Sequence, residues 1–279
     1  MKKKTLIITI IALVCMIMVC AIVVVACGGP KVTGVRSLAA TNVKAHSDVE
    51  SYHMNGKVNM KVSLDSGKLK NLLGPVDPKL PVKMTIVTDG GPESAHITTD
   101  AEIKVFGESV PVQTAEVYLD VKNRMAYTRT GKSRKWKKAV DEDQIGTREL
   151  AGGLAMVGKT VLENGTYKET EKFYTLTIPA EKAAELVANL HLLDRVDLGI
   201  ADVRDITVEG GLVIYRVDKE TNLLHSIELK DVAVRGTGTY EGMTVKLKSP
   251  VNGVFRFSQY NEVEESKYTI PEDVLEWGK

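Results

Sequence analysis

The eleven residues MNGKVNMKVSL, Met54–Leu64, decide the fold class. Even positions carry Met54, Gly56, Val58, Met60, Val62 and Leu64, and odd positions carry Asn55, Lys57, Asn59, Lys61 and Ser63. Successive side chains of a strand point to opposite faces. Period two therefore predicts an antiparallel strand with one face on apolar material and the other in water.

Strand signals continue on both sides of a break at Gly67–Leu80, where Pro75 and Pro78 predict a loop. Val82–Thr88 and Ala95–Phe106 flank the turn Asp89-Gly90-Gly91-Pro92. Val112–Val121 has apolar Ala115, Val117, Leu119 and Val121 at its odd positions. Lys122-Asn123 and Gly131-Lys132 then turn the chain into Met125–Thr130 and Lys135–Val140, a meander of hairpins. In the C-terminal third, strands are expected at Asp202–Val208, Leu212–Val217, Leu223–Val234, Tyr240–Leu247 and Val254–Phe257. Asp218–Asn222 forms a polar hairpin loop, and a short strand runs through Ile270 to a closing turn.

The middle changes period. Leu150, Leu154, Val157 and Val161 predict a helix over Arg148–Glu163, which Asn164-Gly165 would stop. Tyr167–Ile178 reads as one strand. Pro179, suited to a first helical turn, opens a second helix with Ala183, Leu186, Val187, Leu190 and Leu193 on one stripe. A weaker helix spans Ser37–Ser51, with Leu38, Val43 and Val49 buried. About ten strands with helices inserted midway give one α+β domain: a strongly curved antiparallel β-sheet with two or three helices covering its concave face.

Before the fold, Lys2, Lys3 and Lys4 precede an uncharged run, Leu6–Ala26, that ends in Val24-Val25-Ala26-Cys27. A basic start, an apolar stretch and a small residue before a break form an export signal. The last four residues resemble a bacterial lipobox, whose cysteine receives a diacylglyceryl group. Two alternatives are an uncleaved run, at 21 residues long enough to span a bilayer, and simple cleavage after Ala26. Residues 1–26 are read as a lipoprotein signal peptide and 27–36 as lipidated Cys27 and tether. The remainder would sit lipid-anchored on the extracytoplasmic side of the cell membrane.

Removing three lysines leaves 34 basic against 36 acidic side chains, with the signs interspersed. Nucleic acid, which needs a basic face, is not an expected partner. Cys15 and Cys20 lie in the signal and Cys27 is the third of three, so the exported domain has no internal disulfide and no thiol nucleophile.

Several features then coincide: the lipobox, a helix before YHMNGKVNMKV, the hairpins VYLDVKNRMAYTRTGKSRKWKKA, then VDKETNLLHSIELKDVAV and YNEVEESKYTIPEDV. Within them stand Tyr118, Asn123, Tyr127, Gly131 and Trp136, an Asp-x-x-Thr turn at Asp218 and Thr221, and Ile270-Pro271. In their order these motifs resemble the LolA/LolB-like bacterial lipoprotein superfamily, in particular its LppX- and LprG-type branch. The resemblance implies a single half-barrel domain over 37–279, open on one side, whose helices lid an apolar cavity for acyl chains. It brings no catalytic constellation. The chain departs from it in having only four Phe and two Trp.

No HExxH, GxSxG or EF-hand spacing occurs, and His46, His53, His96, His191 and His225 are scattered. No enzyme activity, metal or cofactor is expected. Gly236-Thr237-Gly238 with Gly242 misses the GxGxxG register and reads as a hairpin loop. The basic run around Trp136 reads as the solvent face of a hairpin, with phospholipid headgroup contact as the alternative. Met54, Met60, Met84 and Met156 on apolar faces either line a cavity or fill an ordinary core. The expected ligand is a lipid or acyl chain, held by Met54, Val58, Met60, Met84, Ile86, Leu154, Leu186 and Leu190. The alternative is an envelope interaction, sensing or scaffolding module with a filled core.

Overall fold

The computed structural model describes residues 32–65, 79–105, 108–131, 133, 135–140, 164–184, 187, 200–240 and 242–276. The signal segment, Cys27, the expected helix Arg148–Glu163 and most of the helix expected after Pro179 lie outside them. Of the last, Ala180–Ala183 forms a 3-10 turn.

Helix α1 (Val35–His46) leads into β1 (Tyr52–Asp65), β2 (Lys79–Gly90), β3 (Ser94–Val105), β4 (Glu108–Asp120), β5 (Met125–Thr130) and β6 (Lys137–Val140). Then come β7 (Thr166–Glu169), β8 (Phe173–Pro179), β9 (Ile200–Glu209), β10 (Leu212–Asp218), β11 (Leu224–Tyr240), β12 (Met243–Ser258) and helix α2 (Glu272–Glu276). All described strands form one antiparallel sheet in the order β6-β5-β4-β3-β2-β1-β12-β11-β10-β8-β7, with β9 also on β11. The sheet is curved and does not close on itself, so the curved antiparallel α+β class read from the alternation, with the half-barrel form that the resemblance implies, is the fold found.

The alternation in β1 holds: Met54, Gly56, Val58, Met60 and Val62 are buried, whereas Lys57, Asn59 and Lys61 are exposed. Gly56 has a packing reason. A Cβ placed there would stand 2.6 Å from the Phe255 ring, which reaches across from β12, its ladder partner. A glycine in a strand marks such a close approach.

Strands β9 and β10 run along the same edge of β11, with Glu209 opposite Ala233 and Leu212 opposite Lys230. Between them Gly211 adopts φ +90°, and a Cβ there would lie 2.5 Å from the Asp231 carbonyl oxygen. Asp231 itself has φ 51°, at a bulge where the β11 register shifts. The kink thus lets one edge of β11 serve two strands.

Several expectations need correction. The N-terminal helix starts at Val35 rather than Ser37, and it buries Leu38, Ala39 and Asn42 while Val43 is exposed. Asn42 is buried because its amide donates to the Asn222 carbonyl at 2.8 Å, so helix phase and a distant acceptor override hydropathy. Tyr167–Ile178 is a hairpin, not one strand: the Thr170 hydroxyl donates to the Phe173 carbonyl at 3.0 Å and closes the turn between β7 and β8. Gly236-Thr237-Gly238 lies inside β11, and the turn falls at Gly242, φ +74°. Of the expected strand Tyr240–Leu247, Tyr240 ends β11, while Met243–Leu247 and Val254–Phe257 belong to the continuous β12, in which Pro250 and Gly253 dilute the alternation. The C-terminus forms a 3-10 turn and α2 instead of a strand.

The hairpin motifs form a small second core. Tyr118, Tyr127, Trp136 and Val274 are buried together, with Met125 and Ile270 against them, on the outer side of β4 and β5. The C-terminal Ile-Pro therefore crosses the meander and covers its aromatic residues. The Asp218 carboxylate accepts the Glu220 and Thr221 N–H groups, each at 2.9 Å, which fixes the β10–β11 turn.

Candidate functional site

The apolar face of the sheet is built row by row from its register. Val58 lies opposite Met84 and Gly253; Met60 opposite Val82 and Val251; Gly56 opposite Ile86 and Phe255; Met54 opposite Thr88 and Phe257. The Gly56 row continues through Ile227, Tyr215 and Leu176. One side of every strand from β4 to β8 along this path thereby contributes to one apolar surface, against which Leu38 and Ala39 of α1 are packed.

Five of the eight residues expected to line a site stand together here. Met54, Val58, Met60, Met84 and Ile86 come from the adjacent β1 and β2, and none is more than 3% exposed. Leu154, Leu186 and Leu190 lie outside the described residues.

Two polar groups on this face were not singled out from the sequence. The hydroxyls of Thr88 and Tyr215 are buried and have no hydrogen-bond partner among the described residues. Burial pushes the Tyr215 phenol well above its ordinary pKa, so it stays a neutral donor. Leaving such a group unpaired costs about 1–3 kcal/mol. A signal was present: in LVIYRVD, Tyr215 occupies the inward phase with Val213 and Val217. Thr88 follows Met84 and Ile86 in the inward phase of β2.

Ionisable clusters sit on the opposite face. Glu116 receives hydrogen bonds from Arg129 and from His96, the latter at 3.0 Å. Burial works against its ionisation, but those two hydrogen bonds outweigh it and hold the carboxyl below its ordinary pKa. The His96 ring stacks on Tyr118 at 4.3 Å, and Arg129 lies 4.7 Å from the Trp136 ring centre. Trp136 is thus buried under an arginine, while Lys135, Lys137 and Lys138 around it are exposed at the edge strand β6, the solvent face expected of this basic run. Among the described residues, no three His, Cys, Asp or Glu side chains are placed to hold a metal ion. Nor is any described helix long and apolar enough to cross a membrane.

Residues 35–278 match the model of a family described as a family of unknown function (DUF6612). No curated protein matches the chain. Among solved structures, LprF from Mycobacterium bovis is similar over 85% of this chain and 96% of its own, at 14% identity and TM-score 0.35. A LolA superfamily protein from Nitrosomonas europaea is similar over 86% of this chain and 99% of its own, at 7% identity and TM-score 0.26.

Proposed function

The chain belongs to this family of unknown function, and we propose that it is a membrane-anchored extracytoplasmic lipoprotein that holds a lipid or acyl chain on its inner face, without catalysis. The observation that carries this reading is the pair of buried hydroxyls of Thr88 and Tyr215, unpartnered among the described residues, on an apolar, unclosed sheet. An ester or carboxyl oxygen of an acyl ligand would accept from them, while each methylene taken out of water contributes about 0.8 kcal/mol. Met54, Val58, Met60, Met84 and Ile86 would contact the chain. Leu154, Leu186 and Leu190, on the helices expected from periodicity, would cover it. The basic start, apolar run and Cys27 support the location, because a diacylglyceryl group there would keep the half-barrel beside a source of acyl chains.

The test is chemical extraction of lipid from the full chain purified out of membranes, with mass spectrometry of the non-covalent fraction. The expected result is one lipid species near stoichiometric amount. Its consistent absence sinks the reading. A second reading, an envelope interaction module with a filled core, is favoured by the near-complete burial of those five side chains. It predicts an empty extract.

A further inference from the structure

The outward face of the same sheet gathers cations around a flaw in its ladder. The β1–β12 register runs to Met60–Val251 and resumes only at Ser63–Lys248. Pro250, which has no N–H to give, stands in the gap. Two adjoining grooves of about 600 and 420 Å³ share Lys61 and Pro250. The larger is lined by Lys61, Arg235, Lys246 and Lys248 together with Ser63, Asp65, Asp205 and Thr237. Lys83 and Lys104 line the smaller, where no acidic side chain among the described residues does.

This clustering has a cost. Lys248 is directly opposite Arg235 in the β11–β12 ladder, and like charges at that position repel. Arg235 is held by Glu209 at 2.7 Å. Among the described residues, Lys61, Lys104, Lys246 and Lys248 make no ion pair. Lys246 instead faces Asp65 and Thr237 across its two ladders, so acceptors and a hydroxyl adjoin the ammonium groups. Unpaired cations beside a few carboxylates and hydroxyls, in a groove of small-molecule size, match a ligand with an anionic end and a hydroxylated end.

We propose that this groove binds a phosphate ester of a glycerol-like polyol. Lys61, Lys246 and Lys248 take the phosphate, and Asp205, whose Oδ2 already accepts the Thr237 hydroxyl at 2.7 Å, accepts from the polyol hydroxyls with its remaining lone pairs. The bound anion removes the Lys248–Arg235 repulsion. The site is on the face opposite the apolar surface and stands or falls independently of acyl-chain binding there. The chemistry is shared by free glycerol phosphate and by the headgroup of phosphatidylglycerol.

The test is acylation footprinting of the full chain incorporated in phosphatidylcholine vesicles, with lysine modification rates read by mass spectrometry. One arm adds glycerol 3-phosphate; the other replaces part of the lipid by phosphatidylglycerol. Lys57, exposed on the same face of β1 but outside both grooves, is the internal control. Acylation of Lys61, Lys246 and Lys248 is expected to slow roughly tenfold when the probe is at about ten times its dissociation constant, with Lys57 unchanged. Slowing by the soluble ester assigns a free ligand, and slowing only by phosphatidylglycerol assigns a headgroup. No slowing in either arm overturns the proposal, as does equal slowing at Lys57, which would be general charge screening.

Discussion

Nε2 of His46, in the last turn of α1, accepts the backbone N–H of Leu224, the first residue of β11, at 3.2 Å. The Leu224 carbonyl in turn accepts the Tyr260 hydroxyl at 2.6 Å, and the His46 ring meets the Tyr260 ring edge-on at 5.6 Å. Both backbone groups at this buried strand end are therefore satisfied by side chains from elsewhere in the chain. They tie α1 and the C-terminal segment to the end of β11. The contact needs a neutral imidazole, since a protonated ring has no lone pair to accept with.

Burial lowers the His46 pKa from 6.5 to about 4. A depressed folded-state pKa means that the unfolded chain binds the proton first. The contribution is whole above pH 6.5 and is lost as pH falls from there to about 4, where it amounts to about 2–3 kcal/mol. Thermal melts of the chain between pH 7.5 and 4 should show Tm dropping through this window. His46→Gln should melt lower at pH 7.5 and show a shallower fall. An unchanged pH slope in the variant would remove His46 as the cause.

Gly56→Ala should destabilise the protein by about 1–3 kcal/mol, because the new methyl group overlaps the buried Phe255 ring. A urea melt checks it. Pairing with Phe255→Leu, which frees room at that point, should recover part of the loss and yield a double-mutant coupling.

The β1 pattern was legible because one face is buried and the other wet along its whole length, so hydropathy and geometry carry the same period. The same holds for Val117 and Leu119 in β4, but there Tyr118 between them is also buried, by the second core. Sequence marked Tyr118, Trp136 and Ile270 only as an ordered motif, since their contact depends on how the C-terminus crosses the meander. Asn42 was invisible for a related reason: its acceptor, Asn222, is 180 residues away. The five inner-face residues on β1 and β2 follow from alternation, whereas the lack of a partner for Thr88 and Tyr215 among the described residues depends on neighbours from other strands. The outer groove escaped notice because single exposed lysines in alternating strands look like ordinary solvation; only the register puts Lys248 opposite Arg235.

Val274→Ala removes two carbons from the small outer core and should cost about 1.6 kcal/mol by lost burial. Loosening α2 also uncovers Tyr118 and Trp136. Hydrogen exchange is expected to rise first in β4–β6 while β1 and β12 stay protected. Uniform loss of protection would mean that the two cores unfold together.

Lipidation makes a separate prediction for Cys27. Cells grown with labelled palmitate should incorporate label into the wild-type chain and not into Cys27→Ala, which should accumulate with its signal uncleaved. Equal label in both chains would refute the anchor.

Tyr215→Phe and Tyr260→Phe remove the same atom from a buried and a half-buried tyrosine with opposite expected signs. The Tyr260 hydroxyl donates to Leu224, so its loss should cost about 1 kcal/mol and leave an unpaired carbonyl. The Tyr215 hydroxyl has no partner among the described residues, so its loss should leave the ligand-free chain unchanged or raise its stability by about 1 kcal/mol. A stabilising deletion at a buried polar group suggests a group kept for something other than folding. If Tyr215 meets the oxygen of an acyl ligand, Tyr215→Phe should melt higher when stripped of lipid, yet retain less lipid when purified from membranes. Higher stability with undiminished lipid would separate the hydroxyl from ligand binding, and lower stability would show that it has a partner after all.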